Sequence, residues 1–272
     1  MKRFLRRLLP KALRSDATTI PVVRLSGTIM SGGGQLRRTL SLASVAGVLE
    51  KAFSIDAPAV AVLINSPGGS PVQSRLIFKR IRDLAEEKNR TVLVFVEDVA
   101  ASGGYMIALA GDEIFADPSS IVGSIGVERR VHTAGRNKAV LDPFRPERKE
   151  DVERLKALQL EVHDTFIDLV KERRGAKLKD DGDLFTGLFW TGKRGVELGL
   201  IDGLGDMRSV LKARFGPKTK AKLISAPRGL FGLGRGMFGS RWEADAGEFG
   251  GAAASGLIAA LEERALWGRF GL

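Results

Sequence analysis

The sequence lacks cysteine altogether and contains only two histidines, His132 and His163. The absence of cysteine excludes a thiolate nucleophile, a disulfide framework and a thiolate metal site. A metal centre held by several imidazole groups is not expected either, because only two are available.

Long apolar runs are also lacking, so the sequence predicts no transmembrane helix. The first fourteen residues, MKRFLRRLLPKALR, mix basic and apolar side chains and lack the features of a cleavable signal, an unbroken apolar core and a small-residue cleavage site. Residues 1–14 fit either a peripheral contact with an anionic membrane or a solvated basic terminus. We expect a cytoplasmic protein, with peripheral contact at the inner face of a membrane as the alternative.

The net charge of +11 comes from 43 basic and 32 acidic residues. Such an excess can attract nucleic acid, anionic lipid or an acidic protein. Tyr105 is the only tyrosine, and the basic residues are not interleaved with aromatic side chains that could stack on bases. No nucleic-acid partner is expected.

The composition changes along the chain predict four regions. With 44% hydrophobic residues, the chain can bury a sizeable core. A basic amphipathic segment (1–18) precedes the main domain (19–226). A glycine-rich stretch without periodicity (227–251) is predicted to be a linker, and an amphipathic helix (252–272) follows it.

Within the main domain, β-type runs alternate with stretches of helical periodicity. Strands are predicted at 18–29, 59–65, 91–97, 113–116 and 221–226, and helices at 35–53, 72–84, 102–111, 147–174, 194–200 and 207–214. Alternation of this kind predicts an α/β fold with a mainly parallel sheet and helices packed outside it. The carboxyl ends of the buried strands then meet at one edge, where such folds place their sites.

Two glycine-rich elbows follow consecutive buried strands. In the second elbow along the chain, the strand is predicted to end near Val99 and a helix to begin at Gly103. Ser102 would then lie among the free N–H groups of a helix N-terminus, either as a nucleophile or as an ordinary helix cap. Gly103 and Gly104 are expected to let a substrate approach the backbone closely.

The first elbow, residues 65–70, contains the adjacent pair Gly68 and Gly69. Two glycines after a buried strand can turn their N–H groups outward, towards a developing oxyanion. A plain turn would also explain the Pro-Gly-Gly sequence. Two such elbows on neighbouring parallel strands are more typical of a catalytic site than of a pair of turns.

Three segments in register carry a resemblance to a known family. INSPGGS (64–70), ASGGYMIALAGDEIFADPSSIVGSIGV (101–127) and WTGKRGVELGLIDGLGD (190–206) together resemble the signal peptide peptidase A family. These are serine–lysine peptidases of the Clp protease/crotonase superfamily, and the similarity is greatest to the short, SohB-like branch. The resemblance covers residues 20–225 and implies a fold of repeated β-β-α units.

The resemblance also implies roles for individual residues. Ser102 would be the nucleophile, and Gly103 with one of Gly68 or Gly69 would donate N–H groups to the oxyanion. The general base would be Lys138, in the segment AGRNKAVLDPF, and it must be neutral to accept a proton. Ser124, in GSIGV, would help to hold that lysine.

A Ser–His–Asp arrangement is the alternative to the lysine. His132 has Asp142 nearby in the sequence, whereas His163 falls inside the long charged helix predicted at 147–174 and is expected to be a flank residue there. The resemblance favours the lysine over both histidines.

One departure from the family pattern follows Val127, where the chain passes directly into ERRVHTAGRNK. Relatives have a further strand and helix before the lysine, so the shorter path puts activity in question. The leading interpretation is an endopeptidase that needs no cofactor, forms a homo-oligomeric ring and cleaves small apolar peptides, such as remnant signal peptides, through an acyl-enzyme. The alternatives are an inactive ring-forming scaffold at the membrane surface and a crotonase-like acyl-CoA enzyme.

Overall fold

The computed structural model of the protein describes residues 17–31, 39–126, 149–225, 264 and 267–270. The basic segment 1–14, the glycine-rich stretch 227–251 and most of the predicted helix 252–272 lie outside the described residues. Lys138, His132 and Asp142 lie outside them as well.

The strands are β1 (Thr19–Ser26), β2 (Ala59–Ser66), β3 (Thr91–Ala101), β4 (Glu113–Ala116), β5 (Ile121–Gly123), β6 (Phe189–Thr191), β7 (Gly203–Leu204) and β8 (Lys220–Leu223). They form one sheet with the order β6-β5-β3-β2-β1-β8, while β4 pairs with β3 and with β7. All pairs are parallel except β5 with β6. This confirms the predicted α/β class with a mainly parallel sheet.

The helices follow the strands in the predicted order. They are α1 (Leu42–Phe53), α2 (Pro71–Lys88), α3 (Gly103–Ala108), α4 (Lys149–Arg174), α5 (Gly192–Glu197) and α6 (Met207–Phe215). The predicted start of the first helix at residue 35 was wrong. Leu40 pairs with Ile29 in a β-bridge, and Ser41 and Ser44 form a reciprocal capping box that begins the helix at Leu42.

Alternating side chains of β1, β2 and β3 divide the core into two layers. One face, with Val23, Val62 and Val94, packs in the larger cluster with residues of α1, α2 and α3. The opposite face packs against α6, from which Leu211 is fully inserted. Helices therefore cover both faces of the sheet and leave its carboxyl edge open for a site.

The third strand is longer than predicted, since it continues to Ala101 rather than ending near Val99. Its pairing with β2 shifts from Ile64↔Val96 to Ser66↔Ala100, which leaves extra residues in β3 as a bulge. Before the bulge β3 pairs with β4, and after it β3 pairs with β5. The bulge thus carries the strand on to Ser102.

Among the described helices, none combines the length and the hydrophobicity that crossing a bilayer requires.

Candidate active site

Neighbouring strands β3 and β5 end side by side and bring two predicted site residues together. Ala101 pairs with Gly123, and the Ser102 N–H donates to the Gly123 carbonyl over 2.8 Å. Ser102 and Ser124 follow these positions directly, and both line the same groove. The structure therefore places both serines at the carboxyl edge of the sheet.

Ser102 has a backbone conformation that is unusual for a residue with a side chain. Its φ is +51° and that of Ser124 is +53°, and Asn89 is the only other non-glycine residue with positive φ in the described ranges. Such conformations cost about 1–3 kcal/mol and persist only where the surrounding structure imposes them. Here the parallel pairing of β3 with β5 and the start of α3 impose it on Ser102.

The hydroxyl of Ser102 does not cap the helix that follows it. Ser102 occupies the N-cap position of α3, yet its side chain makes no capping hydrogen bond. By contrast, Ser41, Ser70, Thr191 and Asp206 all accept a backbone N–H at the start of their helices. Ser102 therefore does not act as an ordinary side-chain cap of α3.

The glycines of the two elbows allow the elbows to pack against each other. A Cβ added to Gly68 would lie 2.9 Å from the Ser102 Cβ and 2.9 Å from the Gly103 nitrogen. A Cβ on Gly103 would collide with the Ser74 hydroxyl, and one on Gly104 with the Ser66 carbonyl. The missing side chains of Gly103 and Gly104 thus make room for Ser74 and Ser66, and Gly103 also lines the groove.

The two candidate donors in the first elbow differ in their hydrogen bonds. The Gly68 N–H donates to the Ser66 hydroxyl over 3.2 Å. The Gly69 N–H has no partner among the described residues, and Gly69 lines the groove beside Ser102 and Gly103. Gly69 therefore has the free N–H of the pair, matching that of Gly103 at the first position of α3.

Asn65 supports the bulge that leads β3 to Ser102. Its side-chain amide donates to an Asp98 carboxylate oxygen over 2.5 Å, and its side-chain oxygen accepts the Val99 N–H over 3.3 Å. The bulge leaves backbone groups without a partner in β2, and the amide of Asn65 provides one. Hydrophobic periodicity carries no signal for this role of Asn65.

The groove above the serines has a volume of about 730 Å³. Its floor includes Ser102, Gly103 and Ser124. Its wall on the α4 side is mainly apolar, with Leu155, Leu158, Val162 and Phe166 beside the polar Gln159 and Glu161. The sequence predicts a helix at 147–174 but does not indicate that one of its faces lines a groove. Thr186, Gly187, Arg269 and Phe270 complete the rim and were not predicted as site residues.

His163 lies on α4 and is half-buried. Its Nε2 is 3.1 Å from the carbonyl oxygen of Ile125, directly after Ser124 in the chain. Because a carbonyl oxygen only accepts, Nε2 donates in this contact and is not available there as a base. This arrangement ties α4 to the end of β5.

A buried ion pair supports α3 from behind. Arg174 donates two hydrogen bonds to the Asp202 carboxylate, and the Tyr105 hydroxyl donates to the Leu200 carbonyl over 2.7 Å. Burial acts to raise the pKa of Asp202, but hydrogen bonds from Arg174 and Lys177 outweigh it and leave that pKa below its usual range. Burial raises the pKa of Tyr105 far above its usual value, so the phenol stays protonated.

Comparison with protein families identifies a matching family. The model of peptidase family S49 matches residues 85–130 and 126–215. These two segments contain Ser102, Ser124 and the Arg174–Asp202 pair. They meet at residues 126–130, the position of the departure noted after Val127.

Curated relatives agree with this match. A Synechocystis sp. protein named as a protease is 32% identical over 207 residues, covering 70% of this chain and 71% of the relative. The chloroplastic serine protease SPPA of Arabidopsis thaliana is 28% identical over 253 residues, covering 81% of this chain and 37% of the relative.

A third relative is more similar but much longer. The Na(+)/H(+) antiporter NhaA of Brucella abortus is 62% identical over 289 residues, covering 99% of this chain. The match spans only 39% of that protein. The greater part of the Brucella protein therefore lies outside the match.

Proposed function

The chain belongs to peptidase family S49, and we propose that it is a serine peptidase whose nucleophile is Ser102. The observation that carries the proposal is the state of this serine: positive φ, no capping hydrogen bond, and a place on the floor of a groove with an apolar wall. A strained backbone that presents a hydroxyl without a hydrogen-bond partner among the described residues is typical of a nucleophile and serves no evident purpose in a cap.

In the proposed reaction the Ser102 hydroxyl attacks the carbonyl carbon of a peptide bond. The Oγ–C bond forms while the hydroxyl proton passes to a general base, for which we propose Lys138 in its neutral form. The carbonyl oxygen becomes an oxyanion that accepts hydrogen bonds from the N–H groups of Gly103 and Gly69. The lack of a competing partner for the Gly69 N–H supports Gly69 over Gly68 in this role.

Collapse of the tetrahedral intermediate breaks the C–N bond, and the leaving amine takes the proton from the base. The acyl-enzyme on Ser102 is then hydrolysed by water, which the same base deprotonates. Ser124 follows the β5 strand beside Ser102, which supports its proposed role in holding the lysine amine. No step of this mechanism calls on a metal or an organic cofactor.

The proposed substrates are small, extended, apolar peptides such as remnant signal peptides. Leu155, Leu158 and Val162 form an apolar wall on α4, and its large exposed side chains support this choice. The greater part of the Brucella antiporter lies outside the match, so ion transport is not proposed for this chain.

The test is peptidase activity of the wild type, Ser102→Ala and Lys138→Ala on a quenched fluorescent apolar peptide. Both variants should be inactive but folded, and a fluorophosphonate should label the wild type and not Ser102→Ala. Ser119→Ala, which removes an exposed serine hydroxyl outside the groove, is the matched control and should keep full activity. Full activity of Lys138→Ala would refute the base while leaving the nucleophile in place.

A non-catalytic scaffold is the second candidate, because the family match divides at residues 126–130, shortly before the proposed base. A folded wild type that neither cleaves peptides nor reacts with the fluorophosphonate would favour it. We also propose a homo-oligomeric ring and peripheral membrane contact through residues 1–14. A monomer in light scattering, or no flotation with anionic vesicles, would contradict these two proposals respectively.

A further inference from the structure

The far end of the chain reaches the groove of Ser102. Arg269 and Phe270 line the same cavity as Ser102 and Ser124. The Phe270 ring lies edge-on to that of Phe189, with ring centroids 5.0 Å apart and planes at 70°. This geometry is the favourable T-shaped arrangement of an aromatic pair. We call Phe189 and Phe270 the aromatic rim.

The aromatic rim is anchored to the strand that leads into Ser124. Phe189 belongs to β6, and its register partner on β5 is Gly123, the residue before Ser124. Phe270 is held in a turn in which its N–H donates to the Trp267 carbonyl over 2.9 Å. Phe189 nevertheless remains 43% exposed. An aromatic surface therefore stays uncovered one residue away from the site.

The α4 side of the groove also has exposed apolar side chains. Leu158 is 49% and Val162 is 37% exposed, although polar Gln159 and Glu161 of the same helix line the groove beside them. These α4 residues, Phe270 and Ser102 all line one cavity of about 730 Å³. A space of that size takes several residues of an extended peptide, whose successive side chains point to opposite sides.

We propose that Phe270, held in place by Phe189, forms a subsite for an apolar side chain of a peptide bound in the Ser102 groove. The proposal deepens the proposed peptidase function and rests on it for the identity of the ligand. An extended peptide crossing the floor directs alternate side chains to the α4 wall and to the aromatic rim. A leucine or phenylalanine side chain meeting the rim buries apolar surface on both partners, whereas an alanine leaves most of the rim exposed.

The experiment measures binding, so that it does not depend on catalysis. In a full-length Ser102→Ala background, fluorescence anisotropy gives the Kd of a labelled peptide with leucine at alternate positions. Adding Phe270→Ala should raise that Kd about tenfold, and Phe270→Leu should restore most of the affinity. A peptide with alanine at those positions should bind weakly and show little change. Leu204→Ala, which truncates an exposed apolar side chain outside the groove, is the matched control.

A double-mutant cycle tests the coupling between the two rings. Phe189→Ala should raise the Kd in the same direction, and the double variant should be little worse than Phe270→Ala alone, because each ring acts through the other. An unchanged or lower Kd in both Phe270→Ala and Phe270→Leu would overturn the subsite, and a lower one would identify Phe270 as an occluding side chain. If binding depends on Phe270 but the wild type, with Ser102 intact, cleaves no peptide, the proposed peptidase function is refuted and the subsite is retained.

Discussion

Replacing Gly68 by alanine tests whether the packing of the two elbows sets the geometry of Ser102. Gly68 has φ of +104°, a conformation that an alanine adopts only with strain of about 1–3 kcal/mol. The new methyl group would also lie 2.9 Å from the Ser102 Cβ and 2.8 Å from the Ala101 carbonyl oxygen. Ordinary carbon contacts begin at roughly 3.5 Å, so the elbows must separate by about half an ångström.

Such a separation moves Ser102 and the Gly103 N–H relative to the first elbow. A misplacement of about 1 Å can cost on the order of 100-fold in rate, so we expect Gly68→Ala to lower kcat about 10- to 100-fold. The strain alone should lower Tm by about 2–10 °C, since each kcal/mol shifts Tm by a few degrees in a domain of this size. The loss of activity at 25 °C should therefore be far larger than the fraction of unfolded protein explains.

The assay is kcat and KM on the apolar peptide, with Tm from circular dichroism for each variant. Gly47→Ala is the matched control, because Gly47 lies inside α1 and an added Cβ there meets nothing within 4 Å. That variant should be stabilised by about 0.5–1 kcal/mol and keep its activity. A Gly68→Ala protein with wild-type kcat would refute the inference that the interlocked elbows position the nucleophile.

Two further predictions concern the ion pair behind α3. Arg174→Ala should lower the free energy of unfolding by about 3–5 kcal/mol in urea titrations, since the Arg174 side chain is only 3% exposed. Lys177→Ala removes a 54% exposed partner of the same carboxylate and should lower that free energy by less than about 1 kcal/mol. Equal losses in the two variants would contradict this ranking. Because the pKa of Asp202 is depressed in the folded protein, its contribution to stability is complete above the unfolded pKa of about 4 and is lost as pH falls through the lower folded pKa. Asp202→Asn should therefore reduce the loss of stability that the wild type shows at acidic pH. An unchanged loss would show that other carboxyl groups control it.

Local sequence patterns predicted most of the fold. The apolar runs at 59–65 and 91–97 became adjacent parallel strands, and the helical periodicity at 147–174 became α4. The errors lie where a contact between residues distant in sequence determines the end of a strand or the start of a helix. The end of β3 depends on the Asn65 side chain filling a bulge, and the start of α1 depends on Leu40 pairing with Ile29. Neither partner is near in sequence, so periodicity carries no trace of them.

The candidate site, like the fold, was predicted where local sequence motifs suffice and not where distant contacts determine the geometry. Residues 101–104 alone left cap and nucleophile open, and the resemblance to the peptidase family favoured the nucleophile. The structure adds a backbone φ of +51° at Ser102, which accompanies the pairing of β3 with β5 and which sequence composition does not encode. The packing of Gly103 and Gly104 was not predicted for the same reason, because their neighbours Ser74 and Ser66 lie in α2 and in the other elbow.

The apolar stripe of α4 shows that helical periodicity in a sequence can also indicate a binding surface. Its C-terminal part, with Phe166, Leu169 and Val170, is buried in the core, as any amphipathic helix would be. Leu158 and Val162 continue the same stripe beyond the buried core, where they line the groove and remain partly exposed. An apolar stripe longer than the core it can reach costs solubility unless something binds to the remainder. An apolar stripe that extends past the buried core of its domain thus indicates a ligand-binding surface, even before the ligand is identified.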